Sequence, residues 1–393
     1  MKTRRRRGVV AATAALLGLA ALAVLAALTT GLGQASAKTG GASAQSPLRK
    51  ACGSKIVIQT DWFPEPEHGA VYQLAGTNGS FDKEKGRYTG STKGVQIEIR
   101  AGGPFTGFQQ PISQIYQDSS ITLGFATSDE QIQLGGKLPL VSIVSPFEYS
   151  PQILMWNPQE LSIKTFADIK RTGAKVLVFA GGAWIDYLEG KGWVSSSQVD
   201  TSYDGSPTRF VAANGKIVQQ GFATSEPWQY QHDISQYGKP VKYLLIKNSG
   251  YTPYPQTLAA KPDVVKSKAA CFKLLVPLVQ KAQIAYVQHP QATNALLEKL
   301  VTELNTFWKL TPAGDAYNTA TQKKLGLVQD GPDCTLGNFN MKRLQGVIDR
   351  VLPIFKAKGL NTINPNLRAS NIATNRFIDP KIGLPKKGCA KNK

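Results

Sequence analysis

Residues 60–86 read TDWFPEPEHGAVYQLAGTNGSFDKEKG, and the reading of this stretch decides the fold. It follows a short strand-like run in which Ile56 and Ile58 alternate with Val57 and Gln59. Pro64 and Pro66 then remove two backbone donors and fix φ, so Trp62 to Pro66 is a stiff aromatic loop. Glu65 and Glu67 suit the N-terminus of a helix beyond it. That helix would carry Ala70, Val71, Leu74 and Ala75 and end at Asn78-Gly79. Strand, rigid loop and helix start together put Trp62, Phe63, His68 and Tyr72 where open α/β sheets bind ligands.

The order Trp62, Pro64, His68, Tyr72, Gly79, Phe81, Gly86 resembles the opening of a group of ABC-importer solute-binding proteins. That group takes up thiamine-pyrimidine precursors, riboflavin, nitrate, taurine and alkanesulfonates. The resemblance implies an α/β, two-lobed type II periplasmic-binding-protein fold, with a hinge of two crossing strands and a C-terminal helical cover. It implies a small-molecule solute, permease and ATPase partners at the membrane, and a monomer without a cofactor. Arg87 to Gly94 departs from the group's short glycine turn before the next strand.

The N-terminus fits such a destination. Five basic residues precede a long run of Ala, Leu, Val, Gly and Thr, and Ala35-Ser36-Ala37 offers a small-x-small cleavage site. Residues 1–37 are expected to be a secretory signal, cut near Ala37 or retained as an anchor. Residues 38–53, rich in Gly, Ala, Ser and Lys, read as a flexible tether. The formal charge of +20 falls to +15 once the five basic residues of 1–37 are removed. The remaining basic residues are scattered, with no basic helix and no RNA-binding aromatic signature, which argues against nucleic acid. Four cysteines in an exported chain suggest two bridges, and pairing ends with ends gives Cys52–Cys389 and Cys271–Cys334. No C-x-x-C or H-x-x-x-H spacing occurs, so no metal site is expected.

Along the mature chain the resemblance implies a first lobe over 54–147, a second over 148–243, and a return to the first over 244–393. Val95, Ile97 and Ile99 alternate as a strand. Ser120 to Ala126 is another, and Thr127-Ser128-Asp129-Glu130 then caps a helix, so Ser128 and Asp129 either cap or also meet the ligand. The outgoing hinge is placed at Phe147–Ser150. In the second lobe, Gly181-Gly182-Ala183 joins a strand to a helix and offers backbone donors. Trp184 beside it is a stacking wall or core. A strand is expected over Ala212–Ile217, and Glu226 in QGFATSEP is a candidate carboxylate or a solvated ion-pair member. Lys242 to Ile246 is read as the strand returning to lobe one, followed by an aromatic loop with Tyr251 and Tyr254. The helices beyond Val264, including one over Met341–Lys358, are expected to cover lobe one.

The aromatic supply suits a flat solute, and the polar candidates suit amino-bearing edges. None of these loops carries Arg at a strand end, so a pyrimidine-like nitrogen heterocycle is favoured over an alkanesulfonate, taurine or nitrate. Two other classes remain open. The fungal synthase of the thiamine pyrimidine is similar in fold, but its clustered cysteines are missing and this chain has only His68, His232 and His289. A secreted structural module fits the charge but leaves the strand-end aromatics unexplained. The favoured reading is a binding protein, not an enzyme.

Overall fold

The structure, a computed structural model, describes residues 45–385. The expected signal at 1–37, Cys389 and the last residues of the tail lie outside that range. Twelve strands form two sheets. They are β1 (Lys55–Gln59), β2 (Ser80–Asp82), β3 (Arg87–Thr92), β4 (Val95–Arg100), β5 (Leu123–Ala126) and β6 (Val141–Val144), then β7 (Gln152–Trp156), β8 (Val176–Leu177), β9 (Val199–Asp200), β10 (Val218–Phe222), β11 (Lys242–Leu245) and β12 (Thr257–Ala260). The first sheet runs β2-β3-β4-β1-β5-β12-β6 and the second β11-β7-β10-β8-β9.

At the centre of the first sheet β1 lies parallel to both β4 and β5. Ile56, Ile58, Val95, Ile97 and Ile99 are fully buried, and each such side chain contributes roughly 1.5–3 kcal/mol by leaving water. The departure at Arg87–Gly94 has a structural meaning. It is a β-hairpin arm in which β3 pairs antiparallel with β4 and with β2, widening the sheet by two strands. The charged positions that β4 buries are paired: Arg100 donates to Glu98 at 2.7 Å and to Asp118 at 2.7 Å.

The helix after the aromatic loop spans Gly69–Ala75 and stops at Gly76, whose φ of 78° ends it three residues before the expected Gly79. The segment read as tether is ordered at its end, because Pro47–Cys52 is a helix capped by Ser46. Its Cys52 is bonded to Cys271, on the helix Ala269–Gln288, which corrects both expected pairings. Two ends brought together by folding are not the two ends of the sequence. Cys52 meets a helix that packs over lobe one, while Cys334 is disulfide-bonded elsewhere.

The chain leaves the first sheet after β6 and enters the second at β7, crossing over residues 145–151; it comes back over residues 246–256. The run Lys242–Ile246 is therefore not the return strand. As β11 it pairs antiparallel with β7 at the edge of the second sheet, and β12 is the strand that returns, between β5 and β6. Nor is 212–217 a strand: Thr208–Ala212 is a helix, and the strand starts at Val218. The helix Met341–Ala357 is also corrected. Leu344, Val347, Ile348, Val351 and Phe355 form one stripe at helical spacing, and it packs into the second sheet's core with Trp156, Tyr187 and Val218. The C-terminal cover thus serves both lobes, and the helix Ala269–Gln288 serves the first. Among the described residues no helix is long and apolar enough to cross a membrane.

Candidate functional site

The two sheets face each other across a cavity of about 230 Å³. Its first wall starts where β1 ends. The 3-10 turn Pro66–His68 and the prolines around it hold the loop from Asp61 rigid, and Trp62 projects from that loop across the gap. There it meets Phe179, two residues beyond β8 and just before Gly181-Gly182, with ring centroids 5.4 Å apart. Phe108 packs against both, and Tyr203 lies 4.7 Å from Phe179. Gly205 makes the approach of Trp62 possible. Its φ is +86°, and a Cβ there would lie 2.6 Å from the indole ring.

The polar lining is acidic. Asp61 and Glu65 come from the loop after β1, Asp129 and Glu130 from the start of the helix Ser128–Leu134, and Glu226 from the turn after β10. Among the described residues the lining holds no Lys or Arg. Glu130 completes the expected capping box with Thr127, at the start of the helix Ser128–Leu134. Burial, then the charges of Asp129 and Asp61, push its carboxyl up to about 8. Burial likewise raises Glu226 to about 7, although its Oε2 accepts from the backbone N–H of Phe222 at 2.6 Å. Burial and the neighbouring Glu67 and Asp61 hold Glu65 well above the usual carboxylate range. Asp129 Oδ2 accepts from the Tyr251 hydroxyl at 2.6 Å. Three buried oxygens lack a hydrogen-bond donor: Glu65 Oε1, Asp129 Oδ1 and Gln256 Oε1.

The expected site residues divide along these lines. Trp62, Asp129, Gly182, Ala183, Trp184, Glu226 and Tyr251 line the cavity. Gly181 sits at its exposed rim, where its carbonyl accepts from Gln110 across the gap at 3.2 Å. Four others do not reach it. Phe63 is fully buried against Val301 and Trp308, and Tyr72 belongs to the first lobe's core. Ser128 accepts from the backbone N–H of Tyr254 at 2.8 Å, so it positions the loop that carries Tyr251. His68 lies behind the wall, with Nε2 2.6 Å from Asp61 Oδ1 and 3.4 Å from Glu65 Oε1. Sequence reading missed Phe108, Phe179, Tyr203 and Trp308 as lining residues; Phe179, just after β8 and next to a glycine turn, carried the one usable signal.

Asp61, Glu65 and His68 each bring one ligand atom within 4.8 Å of the others. The His68–Asp61 separation is that of a hydrogen bond, so a proton already joins the pair. His68 Nδ1 has no partner, whereas a metal-bound imidazole donates its second nitrogen to an orienting group. The trio is spaced for proton sharing and for shaping Asp61.

A second set of contacts ties the lobes below the cavity. Glu67, next to His68, accepts from Thr224 Oγ1 of the second lobe and from Asn318 Nδ2 at 2.9 Å. Tyr317 donates to the carbonyl of Ala223 at 3.1 Å. The helix Pro312–Lys324 thereby acts as a strap across the junction.

No family model matches the sequence, and no curated protein does. Solved structures do match its shape. The periplasmic aliphatic sulphonate-binding protein SsuA from Escherichia coli is 14% identical, with a TM-score of 0.55, and the match covers 82% of this chain and 99% of that one. The alkanesulfonate-binding protein SsuA from Xanthomonas axonopodis pv. citri, bound to MOPS, is 13% identical, with a TM-score of 0.53 and the same coverage. The chain shares the two-lobed periplasmic-binding-protein fold of these two proteins.

Proposed function

We propose that this chain is the extracytoplasmic solute-binding component of an ABC importer, and that it captures a small flat heterocycle by closure of its lobes. The observation that carries the reading is the cavity between the two sheets, lined by one aromatic cluster to which the first lobe gives Trp62 and Phe108 and the second Phe179 and Tyr203. Aromatic faces take flat rings, and the acceptor-rich edges suit amino groups such as those of a thiamine pyrimidine precursor. Closure and binding are then one equilibrium, and the closed form is what a permease and ATPase pair would receive. The basic and apolar N-terminus fits export. The chain would work as a monomer and a carrier rather than a catalyst.

Alkanesulfonate is the second reading, favoured by the sulfonate binders of the same fold. The acidic lining speaks against it, because a sulfonate needs Arg or clustered N–H donors. The test is a thermal-shift screen of aminopyrimidines, nucleobases, taurine, nitrate and alkanesulfonates. Stabilisation by the heterocycles supports the reading by mass action. Stabilisation by sulfonates alone replaces it with the second.

A further inference from the structure

We propose that the solute is an organic cation, its flat body against the cluster of aromatic rings and its charge against the carboxyl groups of Asp61, Glu65, Asp129, Glu130 and Glu226. This rests on the solute-binding reading and narrows it. The sequence carries a formal charge of +20, yet the cavity gathers five carboxyl groups with no Lys or Arg beside them among the described residues. A cleft lined by one sign, with low-dielectric walls, concentrates its field on whatever enters.

Neutralisation inside the protein is incomplete. Asp61 has His68 at 2.6 Å, Asp129 has the Tyr251 hydroxyl, and Glu226 has the Phe222 N–H. Asp129 Oδ1 and Gln256 Oε1 have no donor, Glu65 Oε1 has only His68 Nε2 at 3.4 Å and no hydrogen bond, and all three residues are more than nine-tenths buried. Buried acceptors of this kind are costly unless a partner arrives. Without a ligand the repulsion is relieved by protons held on Glu65, Glu130 and Glu226. An incoming cation with N–H donors relieves it better, supplying both charge and hydrogen bonds. The walls suit the same guest, since the faces of Trp62, Phe108, Phe179 and Tyr203 attract a cation that a neutral ring would only stack on. The carboxyls stand on both lobes, so a charge between them also draws the lobes together.

The test uses isosteric pairs titrated calorimetrically into the exported full-length protein: benzamidine against benzamide, and 1-methylnicotinamide against nicotinamide. Butanesulfonate and spermidine complete the panel. The cationic member of each pair is expected to bind about tenfold or more tightly than its neutral partner. Glu226→Gln is expected to shrink that ratio several-fold while leaving the circular-dichroism spectrum unchanged. Equal affinity within both pairs overturns the cation and leaves the flat-solute reading standing. Spermidine binding without either ring pair keeps the cation and removes the flat solute. Butanesulfonate binding alone, or no binding by any compound at millimolar concentration, overturns both.

Discussion

The acidic cleft makes a measurable claim about stability, and Glu130 states it most sharply. Unfolded, its carboxyl titrates at the ordinary value of 4.5; folded, burial and the neighbouring Asp129 and Asp61 move it to about 8. Between those values the folded chain holds a proton that the unfolded chain has lost. Glu130 therefore favours folding fully below pH 4.5, loses that contribution as pH rises towards 8, and adds no slope beyond. At about 1.4 kcal/mol per pH unit the ceiling is about 5 kcal/mol. Glu130 is only half-buried, so water in the cleft screens it and about 1–3 kcal/mol is the expected loss. Glu130→Gln removes the titration while keeping an amide able to serve the capping box with Thr127. Urea unfolding of both proteins at pH 5, 7 and 9 measures the effect. The wild type should lose about 1–3 kcal/mol more than Glu130→Gln between pH 5 and 9. Parallel pH profiles would refute the reasoning, because they would mean the carboxyl is ionised and solvated throughout.

Three further outcomes follow from the same geometry. Trp62→Ala removes the ring that meets Phe179, and binding of whichever solute stabilises the wild type should weaken about tenfold or more with the melting temperature little changed. Gly205→Ala adds a methyl 2.6 Å from that ring at a φ of +86°, so it should displace Trp62 and impair binding comparably; unaltered titrations would show that the site does not need this contact. Opening the Cys52–Cys271 bridge by paired Ser substitution frees a loop with a sequence separation of 219. Loop entropy sets a ceiling of about 5 kcal/mol, and a loss of about 2–5 kcal/mol by denaturant midpoint is expected.

Much of the first lobe was legible because its signals are local. Alternation in β1 and β4, the Thr127–Glu130 box and the proline-stiffened loop each depend on residues a few positions apart. The candidate site was legible where a side chain follows directly from a strand end, as for Trp62, Asp129 and Gly182. It failed where the decision belongs to packing. His68 and Phe63 share the aromatic loop with Trp62 yet face inward, because Phe125 and Trp308 lie on that side. The bridge of Cys52 depends on where the helix Ala269–Gln288 docks, and β11 joined the second sheet through pairing with β7. Each involves partners far apart in the chain, and composition carries no record of them.

Under the proposed function, site chemistry and the solutes of the structurally similar proteins point to different ligands, and the proposal follows the site. The sulfonate binders share this chain's two-lobed architecture at 13–14% identity, a level at which loops at strand ends are free to differ. Such loops, with the helix starts and strand ends beside them, line the cavity here, and they bring carboxyls from both lobes to a space no basic side chain enters among the described residues. A sulfonate placed there would meet the carboxyl groups of Asp61, Asp129 and Glu226 at close range without an Arg or Lys donor, a desolvation cost that closure would only increase. A cation meets the reverse situation, in which closure strengthens every contact. On the proposed function, the sign of the cleft would then set which ligand can draw the lobes together, and the shared scaffold only the frame in which they meet.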